Sequence, residues 1–98
     1  MFEVYIKKHF SAAHKLIGYN GNCSKLHGHN WAVTVFLRTN AIDEIGISID
    51  FRFLGEKLED ILSELDHADL NAIKEFKEKN PTSELIAKYI FDKLKSSF

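Results

Sequence analysis

Two stretches of this chain alternate apolar with polar residues as β-strands do, and they limit what the chain can fold into. The first runs from Phe2 to Phe10, and the second, from Asn30 to Thr39, is rich in β-branched and aromatic residues. The residues between them carry no helical period, so we expect the two strands to be antiparallel neighbours. A two-stranded sheet is marginal in water and has two open edges. We therefore expect other copies of the chain, or residues beyond Phe98, to complete the sheet.

The second half of the chain predicts a helix with a clear start and a single apolar face. Asp50 is a candidate N-cap residue, because its carboxylate can accept a hydrogen bond from a free amide of the first turn. Apolar residues then follow at helical spacing up to a helix end near Asp66. They are Leu54, Leu58, Ile61, Leu62 and Leu65. The stretch from Gly46 to Phe51, which leads into this helix, could form a short extended segment.

A second helix is predicted to open at Asn80-Pro81. Pro81 suits the first helical position, and Glu84 would lie near the positive end of the helix dipole. The apolar face of this helix consists of Leu85, Ile86, Tyr89, Ile90 and Leu94. The polar segment between the helices, residues 67–80, is expected to form a turn with one irregular helical piece.

The composition is typical of one soluble domain over residues 1–98, with 45% hydrophobic and 28% charged side chains. Thirteen basic and fourteen acidic residues give a net charge of -1, which argues against nucleic acid or an anionic membrane as a partner. No apolar run approaches the roughly 20 residues that cross a bilayer, and the N-terminus lacks the apolar region of a secretory signal. Because the single cysteine cannot form an internal disulfide, we expect a cytoplasmic location.

Three histidines are candidates for a metal site. His27 and His29 are separated by one residue at the start of the second strand, so their side chains project from the same face. A hairpin of this length could bring His14, at the end of the first strand, alongside them. Three imidazoles with an empty fourth position are typical of a catalytic zinc site rather than a structural one. The simpler interpretation of His27 and His29 is a pair of surface side chains.

A cysteine and an Asp-His pair could supply acid-base chemistry near such a metal. Cys23 could be a fourth zinc ligand, a small buried apolar side chain, or a thiolate that acts as a general base or nucleophile. In Asp66-His67, the carboxylate could fix the imidazole tautomer while the ring exchanges a proton with the thiol. The alternative for Asp66-His67 is a capping interaction at the C-terminus of the first helix.

These elements occur together in a set of ordered motifs. The motifs are Phe10-Ser11-Ala12-Ala13-His14, Cys23-x-x-x-His27-Gly28-His29-Asn30, Asp50-Phe51, Leu65-Asp66-His67, Leu70-Asn71 and Asn80-Pro81-Thr82-Ser83-Glu84. In order and spacing they resemble the 6-pyruvoyltetrahydropterin synthase and 6-carboxytetrahydropterin synthase family, from Phe10 to about Leu94. The spacing of the cysteine from the His-Gly-His triplet resembles the bacterial 6-carboxytetrahydropterin synthases of queuosine biosynthesis.

The resemblance implies a zinc enzyme that acts on 7,8-dihydroneopterin triphosphate and releases acetaldehyde and triphosphate to form 6-carboxytetrahydropterin. By matching motifs, it implies zinc ligands at His14, His27 and His29, a general base at Cys23, and a proton carrier at His67 oriented by Asp66. Two alternatives remain open. A 6-pyruvoyltetrahydropterin synthase would use the same residues but keep the side-chain carbons, and a non-catalytic oligomer would only bind zinc and pterin.

The resemblance also implies an α+β architecture, the tunnelling fold. In this fold an antiparallel sheet carries two helices on one face, and the subunits close a β-barrel in a homo-oligomer, a hexamer built as a dimer of trimers. Family members normally continue after the second helix with two more strands, the first of which carries a glutamate that anchors the pterin. This sequence stops at Phe98, so we expect the domain to be incomplete at its C-terminus. Three explanations are open: the sequence is a fragment, a partner chain supplies the strands, or the protein has lost catalysis. Glu84 belongs to the helix start and is not assigned the anchoring role.

Overall fold

The computed structural model describes residues 1–18 and 25–98, which form two strands, two α-helices and two short 3-10 helices. The strands are β1 (Phe2–His14) and β2 (His27–Thr39), and the α-helices are α1 (Phe51–Leu65) and α2 (Ser83–Lys95). Between α1 and α2 lie the 3-10 helices Leu70–Ala72 and Lys74–Phe76. This order of elements confirms the α+β class. Within the described residues, no helix is both long and apolar enough to cross a membrane.

The two strands pair in antiparallel fashion over their whole length, as predicted. Phe2 lies opposite Thr39 at one end, and His14 lies opposite His27 at the other. Both strands extend further than the alternating patterns indicated, because residues 11–14 and 27–29 are held in the sheet by their pairing. The part of the chain that the structure describes contains no further strand of this sheet, so the outer edge of β2 is open there.

The two faces of the sheet have different environments. On one face, Phe10 and Ala12 are buried in a core that α1 and α2 complete. The buried helical residues are Leu54, Leu58, Leu62 and Leu65 in α1, and Ile86, Tyr89, Ile90 and Leu94 in α2. The other face carries Tyr5 and Phe36, which are exposed, with ring centroids 5.6 Å apart. The core therefore lies between one sheet face and the helices.

The predicted start of α1 is confirmed, and the predicted start of α2 is wrong by two residues. Asp50 caps α1, because its carboxylate accepts a hydrogen bond from the Arg52 amide at 2.8 Å. In α2 the N-cap is Thr82, whose hydroxyl accepts from the Leu85 amide at 3.1 Å, so Pro81 precedes the helix. The threonine hydroxyl satisfies a free amide of the first turn, a role that the proline ring cannot perform.

Two connecting segments also differ from expectation. The stretch from Gly46 to Asp50 forms no strand, because the Asp43 carboxylate accepts from the Ile45 and Ile47 amides and holds the chain in a turn. The segment between the helices contains two 3-10 helices rather than one irregular piece. The first of them begins after Asp69, whose carboxylate accepts from the Asn71 amide at 3.1 Å.

Tyr89 connects the two helices and makes the stability sensitive to alkaline pH. Its hydroxyl donates to Glu64 Oε2 at 3.0 Å, and burial, together with the Glu64 charge, raises the pKa of Tyr89 to about 12. The folded state thus favours the neutral phenol. The stability that Tyr89 contributes is fully present below the unfolded pKa of about 10 and is lost as the pH rises towards 12. We expect the free energy of unfolding of the wild type to fall by about 1 kcal/mol or more over this interval.

The free energies of unfolding are measured by urea titration at about pH 9 and about pH 11. Tyr89→Phe keeps the ring but has no ionisable hydroxyl, so its free energy of unfolding is expected to lack the decrease that Tyr89 causes in the wild type. Glu64→Gln is the matched control, because the amide keeps an acceptor for the hydroxyl and removes the charge. An alkaline loss of stability that is equal in the wild type and in Tyr89→Phe would contradict this role of Tyr89.

Candidate functional site

The structure brings the three predicted histidines together at one end of the sheet. His14 lies directly opposite His27, and His29 lies opposite Ala12, two residues earlier in β1. This register places all three rings on the face that the helices cover. Each ring offers a nitrogen that lies within 4.8 Å of the others. His14 is buried, His27 is half-buried and His29 is exposed, so the cluster extends from the core to the surface.

Two backbone carbonyls orient the histidine rings. The Nδ1 of His14 is 2.8 Å from the Pro81 carbonyl oxygen, and the Nδ1 of His27 is 2.8 Å from the Lys25 carbonyl oxygen. A carbonyl only accepts, so in both rings Nδ1 carries the proton and donates it. The lone pair then lies on Nε2, which is the arrangement that metal-binding histidines usually have.

Trp31 supports the same cluster. Its ring centroid is 5.0 Å from that of His14 and 5.2 Å from that of His29, and its other neighbour is the stacked Phe10 ring at 5.1 Å. The sequence patterns placed Trp31 only in the core. The sequence could have predicted that Trp31 lies beside the histidines, because it is two residues from His29 and residues separated by two share a face of a strand.

This donor set fits a zinc ion. Zinc binds imidazole nitrogens at about 2.0–2.1 Å in a tetrahedron, so the nitrogens of three ligands lie about 3.3 Å apart. The ring nitrogens of His14, His27 and His29 lie within 4.8 Å of one another, so they would approach by at most about 1.5 Å to reach that geometry. Three nitrogen donors leave a fourth position for substrate, as in catalytic zinc sites. Imidazole also suits iron, copper and nickel, so the donors do not select zinc alone.

Asp66 and His67 form a second arrangement, anchored to β1. Asp66 Oδ1 accepts a hydrogen bond from the Ser11 amide at 2.9 Å, and Oδ2 lies 2.9 Å from His67 Nδ1. The hydrogen bond from Ser11, and then the neighbouring His67 ring, hold the pKa of the Asp66 carboxyl below its ordinary value. The carboxylate thus stays ionised at neutral pH and fixes the Nδ1–H tautomer of His67.

The backbone and the side chain of Asp66 make different contacts. The backbone amide of Asp66 donates to the Leu62 carbonyl at 2.8 Å and closes the end of α1. Its side chain turns away from the helix, towards Ser11 and His67. The imidazole of His67 is 83% exposed, so its second nitrogen is open to solvent.

His67 has an unusual backbone conformation. Its φ of 59° lies in the left-handed region, which costs a non-glycine residue about 1 kcal/mol or more. The backbone amide of His67 donates to the Ser11 carbonyl, so Ser11 holds the pair through both its amide and its carbonyl. A strained residue held by its surroundings is frequently part of a functional site.

One open cavity is lined by a residue of each arrangement. It has a volume of about 710 Å³, and His29 and His67 both line it. Its other walls include Ser11 and Asn30, whose side chains are hydrogen-bonded to each other across the strands. This volume is in the range of small-molecule sites. Cys23, the predicted general base, lies outside the described residues.

Comparison with known proteins supports one family. The family model described as 6-pyruvoyl tetrahydropterin synthase matches residues 3–98. The chain belongs to this family. A protein of Synechocystis sp. named 6-carboxy-5,6,7,8-tetrahydropterin synthase is 34% identical, over 99% of this chain and 78% of the relative. A Bacillus subtilis protein of the same name is 32% identical, over 97% of this chain and 66% of the relative.

The fold of a solved family member is also similar. The structure of 6-pyruvoyl tetrahydropterin synthase from Caenorhabditis elegans has a TM-score of 0.83 and 32% sequence identity. The superposition covers 98% of this chain and 79% of the nematode chain. The antiparallel pair of strands with two helices is therefore the arrangement of this pterin synthase family.

Proposed function

We propose that this chain is a zinc-dependent 6-carboxy-5,6,7,8-tetrahydropterin synthase of queuosine biosynthesis. Its substrate would be 7,8-dihydroneopterin triphosphate, and its products 6-carboxytetrahydropterin, acetaldehyde and triphosphate. The observation that carries the proposal is the shared cavity of His29, from the histidine cluster, and His67, from the anchored Asp-His pair. The bacterial relatives in Synechocystis and Bacillus subtilis, which have the 6-carboxy name, favour this reaction within the family.

Three histidines of the site would bind the metal. His14, His27 and His29 would hold the metal through Nε2, because carbonyl oxygens already accept from Nδ1 of His14 and His27. Bound zinc would supply Lewis acidity, which makes the hydroxyls of the substrate side chain easier to deprotonate.

Proton transfer would fall to the other three residues. Asp66 holds the proton on Nδ1 of His67, so the exposed Nε2 can accept a proton from the substrate and return it. Cys23, four residues before His27 in the sequence, would act as the general base in its thiolate form.

The domain and its assembly are part of the proposal. Residues 1–98 would form a single tunnelling-fold domain, in which the open edge of β2 pairs with a strand of another subunit in a homo-oligomer, a hexamer of two trimers. An isolated two-stranded sheet is marginal in water, which supports this completion. A cytoplasmic location is in keeping with a single cysteine.

A second candidate reaction is that of 6-pyruvoyl tetrahydropterin synthase. The name of the solved nematode relative favours it. The same histidines and the same Asp-His pair would serve this reaction, which removes triphosphate and keeps the carbons of the side chain.

The two reactions differ in their products, and one assay separates them. Zinc-loaded protein is incubated with 7,8-dihydroneopterin triphosphate, and pterin mass and acetaldehyde are followed together. Acetaldehyde released with a carboxypterin in equal amounts is the expected result. A pterin product that keeps every side-chain carbon would favour the second candidate. Binding of the substrate without turnover would overturn both and favour a zinc- and pterin-binding protein.

A further inference from the structure

Two asparagine side chains form paired hydrogen bonds with the backbone just beyond the end of β1. Asn71 accepts from the Lys15 amide at 2.9 Å and donates to the Lys15 carbonyl at 3.0 Å. Asn80 does the same to Ile17, accepting at 2.8 Å and donating at 2.8 Å. Each carboxamide thus satisfies both polar groups of one backbone residue.

This arrangement continues the edge of the sheet where strand pairing has stopped. A carboxamide has a donor and an acceptor side by side, as a peptide unit has, so asparagine can replace a strand partner. The same edge of β1 already contacts the chain that follows α1, because Ser11 bonds to Asp66 and His67, and the Ala13 amide donates to the Ala68 carbonyl at 2.9 Å. Alternate residues from Ser11 to Ile17 are therefore all tied to residues 66–80.

His14 lies in the middle of these contacts. The residues on both sides of it, Ala13 and Lys15, are held to residues 68 and 71. Its ring donates to the carbonyl of Pro81, which is fully buried and directly follows Asn80 in the sequence. The backbone and the ring of His14 are thus fixed by one segment, although His14 is the last residue of its strand and strand ends normally fray.

We propose that Asn71 and Asn80 are positioning residues for the metal centre, which hold His14 in its metal-binding position before the metal arrives. The inference rests on the proposed function only in that His14, His27 and His29 bind the metal. Without the two carboxamides the chain after His14 would lose its partners, and the His14 ring would sample positions away from the other two. Metal affinity would fall, because ordering the ligand would then oppose binding.

The test measures Co²⁺ binding, with its visible absorption as the signal, in Asn71→Ala and Asn80→Ala. Losing a partner that orients a metal ligand usually costs about 10–100-fold in affinity, so we expect a fall of about tenfold in each variant. Asn40→Ala is the matched control, because Asn40 is exposed in the loop after β2. Faster amide hydrogen exchange at Lys15 and Ile17 should accompany the loss, while exchange in α1 stays unchanged.

Asn71→Asp separates orientation from charge and is the milder variant if the alanine proteins fold poorly. Aspartate still accepts from the Lys15 amide but cannot donate to its carbonyl. Its added negative charge would by itself strengthen binding of a dication, so weaker Co²⁺ binding in this variant would come from the broken contact with the Lys15 carbonyl.

Changes of less than threefold in Co²⁺ affinity in all three asparagine variants (Asn71→Ala, Asn80→Ala and Asn71→Asp) would overturn the proposal, even with faster amide exchange at Lys15 and Ile17. A wild-type protein that binds no Co²⁺ would overturn both this inference and the proposed function. The wild-type protein could instead bind Co²⁺ while its zinc form turns over no 7,8-dihydroneopterin triphosphate. That result would overturn the proposed function alone. In that case the affinities of the variants would still decide the role of the two asparagines.

Discussion

Replacing His29 or His14 with alanine is expected to lower zinc affinity and turnover by more than about 100-fold. Removing a residue that only orients a ligand costs about 10–100-fold, and removing the ligand itself should exceed that range. His29 is the sharper test, because it is exposed and its loss leaves no cavity in the core. The measurements are zinc affinity by competition with a chromophoric chelator, turnover, and helix content by circular dichroism.

His9→Ala is the control for this prediction, since His9 is exposed on the same strand as His14 and lies five residues away in the sequence. It should bind zinc and turn over substrate as the wild type does. A catalytic zinc predicts that His29→Ala loses activity and keeps its fold. If His29→Ala unfolds at the temperature at which His9→Ala is stable, the zinc has a structural role.

The second large effect is expected at His67, where replacement by asparagine should lower kcat by about 10²–10⁴-fold, the usual contribution of a general acid or base. Asparagine tolerates the left-handed backbone that His67 adopts at φ 59°, so the local fold should survive. Zinc affinity is expected to stay within threefold of the wild type, because His67 is not among the clustered ligands. Single-turnover kinetics and chelator competition measure the two quantities.

Two further variants check how the roles are assigned. Asp66→Asn keeps the shape but removes the charge that fixes the His67 tautomer, and a loss smaller than that of His67→Asn is expected. Cys23→Ala should lose turnover to a similar extent as His67→Asn. Full turnover in Cys23→Ala would show that the thiol is not the general base, whereas full turnover in His67→Asn would remove the Asp-His pair from the mechanism.

Features that depend on nearby residues were predictable from the sequence. The cap at Asp50 and the leucine face of α1 need only a side-chain acceptor and helical spacing, and both agree with the structure. The convergence of His27 and His29 with His14 follows from the period of two in a strand and from antiparallel pairing. The limits of the strands were harder to predict, because residues 11–14 and 27–29 alternate poorly and are held by their partners.

Contacts between distant residues had no local signal. The Asp66 carboxylate binds the amide of Ser11, 55 residues earlier, and Asn71 binds Lys15, 56 residues earlier. An aspartate at a helix end and an asparagine in a turn are common for local reasons, which hide such roles. The left-handed backbone of His67 was equally hidden, because histidine seldom adopts it. Only the packing of residues 66–80 on the edge of β1 produces these features.

The row of contacts along this edge constrains how the protein can evolve. Since neighbouring strand residues point to opposite faces, inserting or deleting one residue between Ser11 and His14 would turn the His14 ring away from His27 and His29. The same change would present the wrong backbone groups to Asn71 and Asn80. Residues of this stretch can be exchanged, but its length cannot change by one. Length variation is better accommodated by the loop of residues 40–49, which carries none of the site residues.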